Sequence, residues 1–228
     1  LDKEVLTGMV VSLPLKTMNR HGLIAGATGT GKTKTLQVLA EGLSNASIPV
    51  LMMDIKGDLS GIAAAGVVND KITERNQKIG YAGYSPAAFP VELMSLSEQP
   101  GVRMRSTVSE FGPILISKIL GLNETQEGVV SMIFKYCDDQ QDFIKILQFI
   151  GNEGKKELEA SYGKISTSTT GTILRKVIEL QQQGADIFFG EPSFDVNDLM
   201  RISNDGRGMI NILRVTDMQN RPKLFSTF

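Results

Sequence analysis

Apolar residues recur along this chain in two rhythms, and each rhythm predicts its own kind of element. Short continuous runs at Val10–Leu13, His21–Ala25, Ile48–Asp54, Val91–Leu96 and Met209–Val215 predict strands. Pro14 stops the first, and the run at 48–54 ends on a carboxylate, Asp54. Between the second and third runs, Lys34 to Asn45 places Leu36, Leu39 and Leu43 at helical spacing, with Val38 and Ala40 beside them. Strand, helix and strand in that order make a βαβ unit, so the sheet is expected to be parallel with a right-handed crossover. Residues 66–101 carry Gly80, Gly83, Pro86, Pro90 and Pro100 and are expected to be loop-rich, with Val91–Leu96 as their strand.

From residue 106 the rhythm turns helical. Thr107-Val-Ser-Glu110 has capping-box spacing ahead of Ile114–Leu120, which Gly121 ends; Pro113 fits the early turns or kinks them. Asn123 to Gln126 opens a second helix with Val129, Val130, Ile133, Phe134 and Cys137 on its apolar side. Two more are expected at about 142–150 and 153–162, closed by Gly151 and Gly163. Ser168 or Thr169 starts a fifth, with Ile173, Leu174, Val177, Ile178 and Leu180 buried and Gly184 at its end. Pro222 suits the first turn of a final helix. The apolar periodicity of this region reads as helical core. The organisation predicted is an α/β core in residues 1–105, a helical insertion over 106–190, and a return to the core over 191–228.

Candidate chemistry begins at Gly26-Ala27-Thr28-Gly29-Thr30-Gly31-Lys32-Thr33, a complete G-x-x-x-x-G-K-[ST] phosphate-binding loop between a predicted strand and a predicted helix. Glycines let the backbone turn tightly, so that successive N–H groups form an anion-binding concavity, and the start of the helix adds positive charge to the same place. Residues 26–34 are therefore the expected cofactor-binding set: the loop, then Lys34 on the first turn. Lys32 is expected to reach the β- and γ-phosphates of ATP, and Thr33 to offer its hydroxyl to Mg²⁺. Asp54 closes a strand whose carboxyl end faces the ligand in open α/β sheets. It can orient a water, hold the metal through solvent or pair with Lys32; alternatively Asp54 and Asp58 cap the turn that leaves the strand.

Two nucleotide-hydrolase signatures are incomplete. The Asn-Lys-x-Asp pattern that reads guanine is absent, which argues against a GTPase although Asp54-x-x-Gly57 imitates a GTPase metal motif. A Walker-type ATPase also needs a later apolar strand ending in Asp, often Asp-Glu, to hold Mg²⁺ and polarise the attacking water. The run Ile210–Val215 has Asn211 and Arg214 within it and no Glu after Asp217, so Asp217 reads as a turn residue. The expectation is an N-terminal piece of a longer ATPase core, weak or inactive in hydrolysis by itself.

Composition narrows this little further. With 228 residues, 41% apolar and 21% charged, the chain has the balance of an ordinary globular protein. Its apolar runs are too short for a membrane span, its single Cys137 allows no internal disulfide, and a cytoplasmic location is expected. Net charge is −1, from 24 basic and 25 acidic residues, which gives no support to nucleic-acid binding. Arg103-Met-Arg105 and Lys155-Lys156 read as solvated surface, His21 as a residue near the loop without a catalytic task, and Cys137 as core.

A wider set of segments carries a resemblance. The stretch from Asn19 through Thr33 with Leu36-Gln37 resembles the bacterial HerA-like helicase family, in particular the YjgR-type P-loop ATPases. The likeness continues through residues 54–61, 105–113, 122–126 and 138–140, then Gln183-Gly-Ala185, residues 188–192 and 208–213, and so covers nearly the whole chain. One departure stands between Gln140 and Asp142, where that family has additional apolar residues. The resemblance implies a P-loop NTPase fold of the HerA–FtsK branch, phosphate binding by residues 26–33, Mg²⁺ at Thr33 and an accessory role for Asp54. It also implies a Walker B Asp-Glu and trans-acting arginines beyond Phe228, a hexameric homo-oligomer, and DNA as the object of ATP-driven movement. A second reading of different class remains open: a nucleotide-gated module that uses ATP occupancy to hold or assemble a protein partner, with little turnover. A small-molecule phosphotransferase lacks a recognisable base for its second substrate.

Overall fold

A computed structural model describes residues 12–136, 165–221 and 225. Its strands are β1 (Val50–Asp54), β2 (Val91–Ser95), β3 (Val102–Arg103) and β4 (Ile210–Arg214), joined in one parallel sheet in the order β1-β4-β2-β3. The last pair is in register with Met94 opposite Val102 and Ser95 opposite Arg103. Residues Ile210 to Leu213 are buried without alternation, as expected of a strand covered on both faces. β1 instead alternates, with Met52 and Asp54 buried and Leu51 and Met53 exposed. The helices are α1 (Lys32–Asn45), α2 (Asp70–Ile79), α3 (Val108–Leu120), α4 (Glu124–Tyr136), α5 (Thr167–Gln182) and the single turn α6 (Ala185–Phe188). The mixed α/β class with a parallel sheet is the one the sequence predicts.

Contacts divide the chain into two compact units. The first contains residues 1–50, 58–91 and 200–211. Here α1 buries Gln37, Ala40 and Ser44. Ser44 donates its hydroxyl to the Gly208 carbonyl at 2.7 Å, and its own carbonyl accepts from the Gly208 N–H at 2.8 Å. Gly208 is needed there: a Cβ on it would lie 2.2 Å from the Ile48 carbonyl group. α2 is a helix the periodicity does not predict. It buries no residue, and its ends define it: Asn69 Oδ1 accepts from the Ile72 N–H at 3.0 Å, and Gly80 closes it at φ 67°.

The second unit holds residues 51–57, 92–199 and 212–228. Its core gathers Leu96, Leu120, Ile133, Ile173, Phe188 and Met218, all nearly or fully inaccessible, with α3, α4 and α5 packed on one another. The predicted capping box is present, with Thr107 Oγ1 accepting from the Glu110 N–H and Glu110 Oε2 from the Thr107 N–H. Gly121 ends α3 in the left-handed region. The helix is broken at Gly112, which adopts φ 67° and ψ 173° immediately before Pro113. That is the kink Pro113 suggested, since a residue before proline is driven from the helical region. Asn123 and Gln126 cap the next helix reciprocally. Phe111 meets Phe188 and Phe189 edge to face, at centroid separations of 5.7 and 5.3 Å.

Several expectations change. Residues 21–25 are exposed and form no strand, with Leu23 89% accessible. Only Leu23-Ile24-Ala25 is apolar there, and among the described residues no strand pairs with it, so the backbone has no ladder to join. α5 begins at Thr167, one or two residues before the expected start, because Ser166 takes the capping place in a run of Ser and Thr residues that offers several candidates. Arg105 is half-buried rather than free on the surface, donating to the Glu191 carbonyl at 2.8 Å, and Arg103 donates to the carbonyl of Ser97. Ser12 and Leu13 form no strand; the helices at 142–150 and 153–162, Cys137, Lys155-Lys156, the Gln140–Asp142 junction and Pro222 lie outside the described residues.

Candidate nucleotide-binding site

The loop of residues 26–31 is exposed and leads directly into α1. Gly29 and Gly31 adopt φ 79° and 94°, the left-handed region that other residues enter at a cost, and Gly31 is the residue from which the helix starts. Gly26 serves a different need: a Cβ on it would lie 2.5 Å from Thr30 Oγ1. The loop thus closes on itself through Thr30, whose hydroxyl donates to the Ala27 carbonyl at 2.8 Å and whose N–H does so at 3.4 Å.

Lys32 donates its Nζ to that same Ala27 carbonyl at 2.7 Å, so the ammonium is folded back over its own loop. Thr28 lies at the tip of the loop, and Thr33 follows in the first turn of α1, half-buried, where its hydroxyl has no protein partner among the described residues. The first N–H groups of any helix lack intrahelical acceptors, so the start of α1 contributes donors and partial positive charge beside Lys32. The N–H groups at the start of α1, one ammonium and one hydroxyl are of the donor types that fit a phosphate group and its cation. A side chain at Gly26 would displace the Thr30 hydroxyl from its bond to the Ala27 carbonyl.

Lys34 is turned elsewhere. Its ammonium donates to Gln37 Oε1 at 2.8 Å, and Gln37 Nε2 donates to the Asp58 carbonyl at 3.1 Å. Glu41, one further turn along α1, has its carboxyl pushed up by burial, partly offset by the charge of Lys34. The structure therefore brings Gly26 to Thr33 together and places the Lys34 head group in a separate polar chain along the helix. His21 is exposed before the loop.

Asp54 belongs to the second unit and is fully buried at the end of β1. Its Oδ1 accepts from the Gly57 N–H at 2.7 Å, and its carbonyl accepts from the Val215 N–H at 3.1 Å. The first of these bonds is the turn-capping arrangement weighed for this residue. Around it the unit joins the carboxyl ends of β1 and β4: Gln219 Nε2 donates to the Ile55 carbonyl at 2.8 Å, and Gln99 Nε2 donates to Thr216 Oγ1 at 2.5 Å. Asp217 sits at the turn, as read from the sequence, directly before the 3-10 turn Met218–Asn220, and its Oδ1 is buried without a hydrogen-bond partner. No motif announced Gln99, Thr216 or Gln219; amides in turns have no spacing that marks them. Among the described residues, no three His, Cys, Asp or Glu side chains form a metal cluster, and no helix is long and apolar enough to cross a membrane.

Comparison with known proteins adds one positive finding. Residues 3–228 match the family described as helicase HerA-like, C-terminal. No curated protein and no solved structure matches the chain.

Proposed function

The chain belongs to the HerA-like helicase family, and from that premise we propose that it is the nucleotide-binding part of an ATPase core that couples Mg-ATP hydrolysis to movement on DNA. One observation carries the proposal: a glycine loop at a helix start whose lysine, among the described residues, is held only by a carbonyl of the loop itself. A phosphate oxygen competes for that ammonium with a full negative charge, and charge-assisted bonds are about twice as strong as neutral ones.

In this reading Gly26, Ala27, Thr28, Gly29, Thr30 and Gly31 wrap the phosphates. Lys32 exchanges the Ala27 carbonyl for the β- and γ-oxygens, and Thr33 offers its hydroxyl to the metal. Mg²⁺ supplies neutralisation of phosphate charge when bound. Lys34 stands beside Lys32 and Thr33 on the first turn, its ammonium resting on Gln37, which in turn reaches the Asp58 carbonyl. Asp54 acts as an accessory carboxylate at the carboxyl edge of the sheet and holds the turn through Gly57. Residues 1–105 and 191–228 supply the core and 106–190 the helical insertion. The working form is a homo-oligomer in the cytoplasm, without a membrane role.

The test is titration of the chain with Mg-ATP by calorimetry, repeated with Lys32→Ala, followed by steady-state hydrolysis by the full-length protein with and without single- and double-stranded DNA. Losing the lysine should weaken binding about tenfold or more, from the ~1.5–3 kcal/mol of a hydrogen bond to a charged group. Equal affinity in the two proteins refutes the phosphate assignment. Binding that survives with hydrolysis indifferent to DNA refutes the DNA coupling and turns attention to a protein partner.

A further inference from the structure

Beyond the phosphate-binding loop, the first unit holds a groove of about 450 Å³ at the end of α2. It is lined by Val68, Thr73, Asn76, Gln77, Tyr81 and Tyr84, with no charged residue along it. Its form is set locally. Gly80 is left-handed at φ 67°, its N–H bonds the Gln77 carbonyl at 3.2 Å, and the Tyr81 N–H bonds the Asn76 carbonyl at 2.9 Å. These two bonds are the pair of a Schellman turn, which folds the residue after the glycine back beside the last turn of the helix. Tyr81 is therefore delivered to the side of Asn76 and Gln77. Its phenol end stands over Gly83, where an added Cβ would be 3.6 Å from the hydroxyl oxygen.

Each lining group has unused capacity. Tyr81 and Tyr84 are 53% and 43% exposed. The side chains of Asn76 and Gln77 make no hydrogen bond within the described protein, although each amide can both donate and accept. The open groove's volume of about 450 Å³ lies within the range of small-ligand sites. Two aromatic rings select a flat π-face, neutral amides select an edge carrying donors and acceptors together, and the missing charge disfavours phosphate or carboxylate. We propose that this groove binds a nucleobase, its face on Tyr81 or Tyr84 and its edge on Asn76 and Gln77.

The base can come from a single strand of nucleic acid or from a free nucleotide, and the site is independent of whether the loop at 26–33 hydrolyses ATP. The chain has no Trp and only four Tyr, so tyrosine emission reports stacking directly. The experiment titrates the full chain with a single-stranded oligo-dT, a duplex of equal length, and thymidine and adenosine without phosphates. Tyr81→Ala, Tyr84→Ala, Tyr81→Phe and Lys32→Ala are run in parallel. The expected result is quenching by the single strand or by nucleoside, weakened about fivefold or more by either alanine, kept by Tyr81→Phe and unaffected by Lys32→Ala. Quenching by the oligonucleotide with nucleosides weak assigns the base to a strand; nucleosides alone at similar affinity assign it to a free nucleotide. Nucleoside binding should not change between low and high salt, because the groove carries no charge. Absence of quenching, equal binding of duplex, or indifference to both alanine variants overturns the proposal. Unchanged thermal unfolding of the variants separates lost binding from lost fold, and failure of ATP binding in Lys32→Ala alone bears on the loop without touching the groove.

Discussion

Gly208→Ala is a one-methyl change whose consequence can be worked from the coordinates. The added Cβ would stand 2.2 Å from both the carbon and the oxygen of the Ile48 carbonyl and 2.6 Å from Pro49 N, where ordinary contact begins at 3.4 Å. The backbones must separate by about 1.2 Å to restore contact, the difference of those two distances, 3.4 and 2.2 Å. Neither neighbour is a flexible side-chain end, so the relief comes from moving main chain. Movement of that size breaks the paired bonds between Ser44 and Gly208, and Ser44 is 0% exposed, so its hydroxyl cannot turn to water. Overpacking costs about 1–3 kcal/mol and a stranded buried polar group about 1–3 more. The sum is roughly 2–6 kcal/mol, or a melting temperature lower by about 4–24 °C in a chain of this length. Gly206→Ala is the control: Gly206 has φ 85° but nothing within 4 Å, and its strain is about 1 kcal/mol. Differential scanning calorimetry of parent, Gly208→Ala, Gly206→Ala and Ser44→Ala decides the matter. A Gly208→Ala protein melting within about 2 °C of its parent, or below the Gly206 variant in cost, refutes the reasoning.

Two further outcomes are expected. The carboxyl of Glu110 is held below its ordinary value, first by the Thr107 N–H and then by the Ser106 hydroxyl. A depressed carboxylate contributes stability that is present above its unfolded value of 4.5 and lost as pH falls through the folded one, so Glu110→Gln should flatten the acid limb of urea midpoints measured between pH 7 and pH 3. Gly31→Ala, at φ 94°, should cost about 1–2 kcal/mol in the loop conformation and weaken Mg-ATP binding more than the same change at Gly42, which has open space, in the calorimetric titration used for Lys32.

What could be read from the sequence depended on whether a residue acts on its neighbours along the chain. Thr107 and Glu110, Gly121, and Asn123 with Gln126 are local devices, and the structure contains each as read. Val91–Leu96 and Met209–Val215 became β2 and β4 because dense apolar runs find a sheet in any arrangement that buries them. α2 escaped notice because a helix that buries nothing has no apolar stripe; Asn69 and Gly80 were its signals, and glycine in a loop-rich stretch was read as loop. Residues 21–25 failed in the opposite direction, since a strand exists only with a partner and periodicity cannot count partners. At the candidate site the glycines and Lys32 were legible from spacing alone. The folding back of Lys32 onto Ala27, the diversion of Lys34 to Gln37 and the turn held by Asp54 depend on side-chain rotamers that no spacing encodes.

Among the described residues β1 ends the sheet on one side, and one of its faces presents Leu51, Met53 and then Ile55, at 51%, 42% and 42% accessibility. An edge strand with greasy side chains on one face is a template for another strand, and residues 50–55 include no lysine or proline to discourage it. Handled in isolation, the chain will therefore behave as a colloid with one sticky rim: concentration, more than temperature, will govern how long it stays dispersed, and its losses will be rich in cross-strand aggregates rather than unfolded coil.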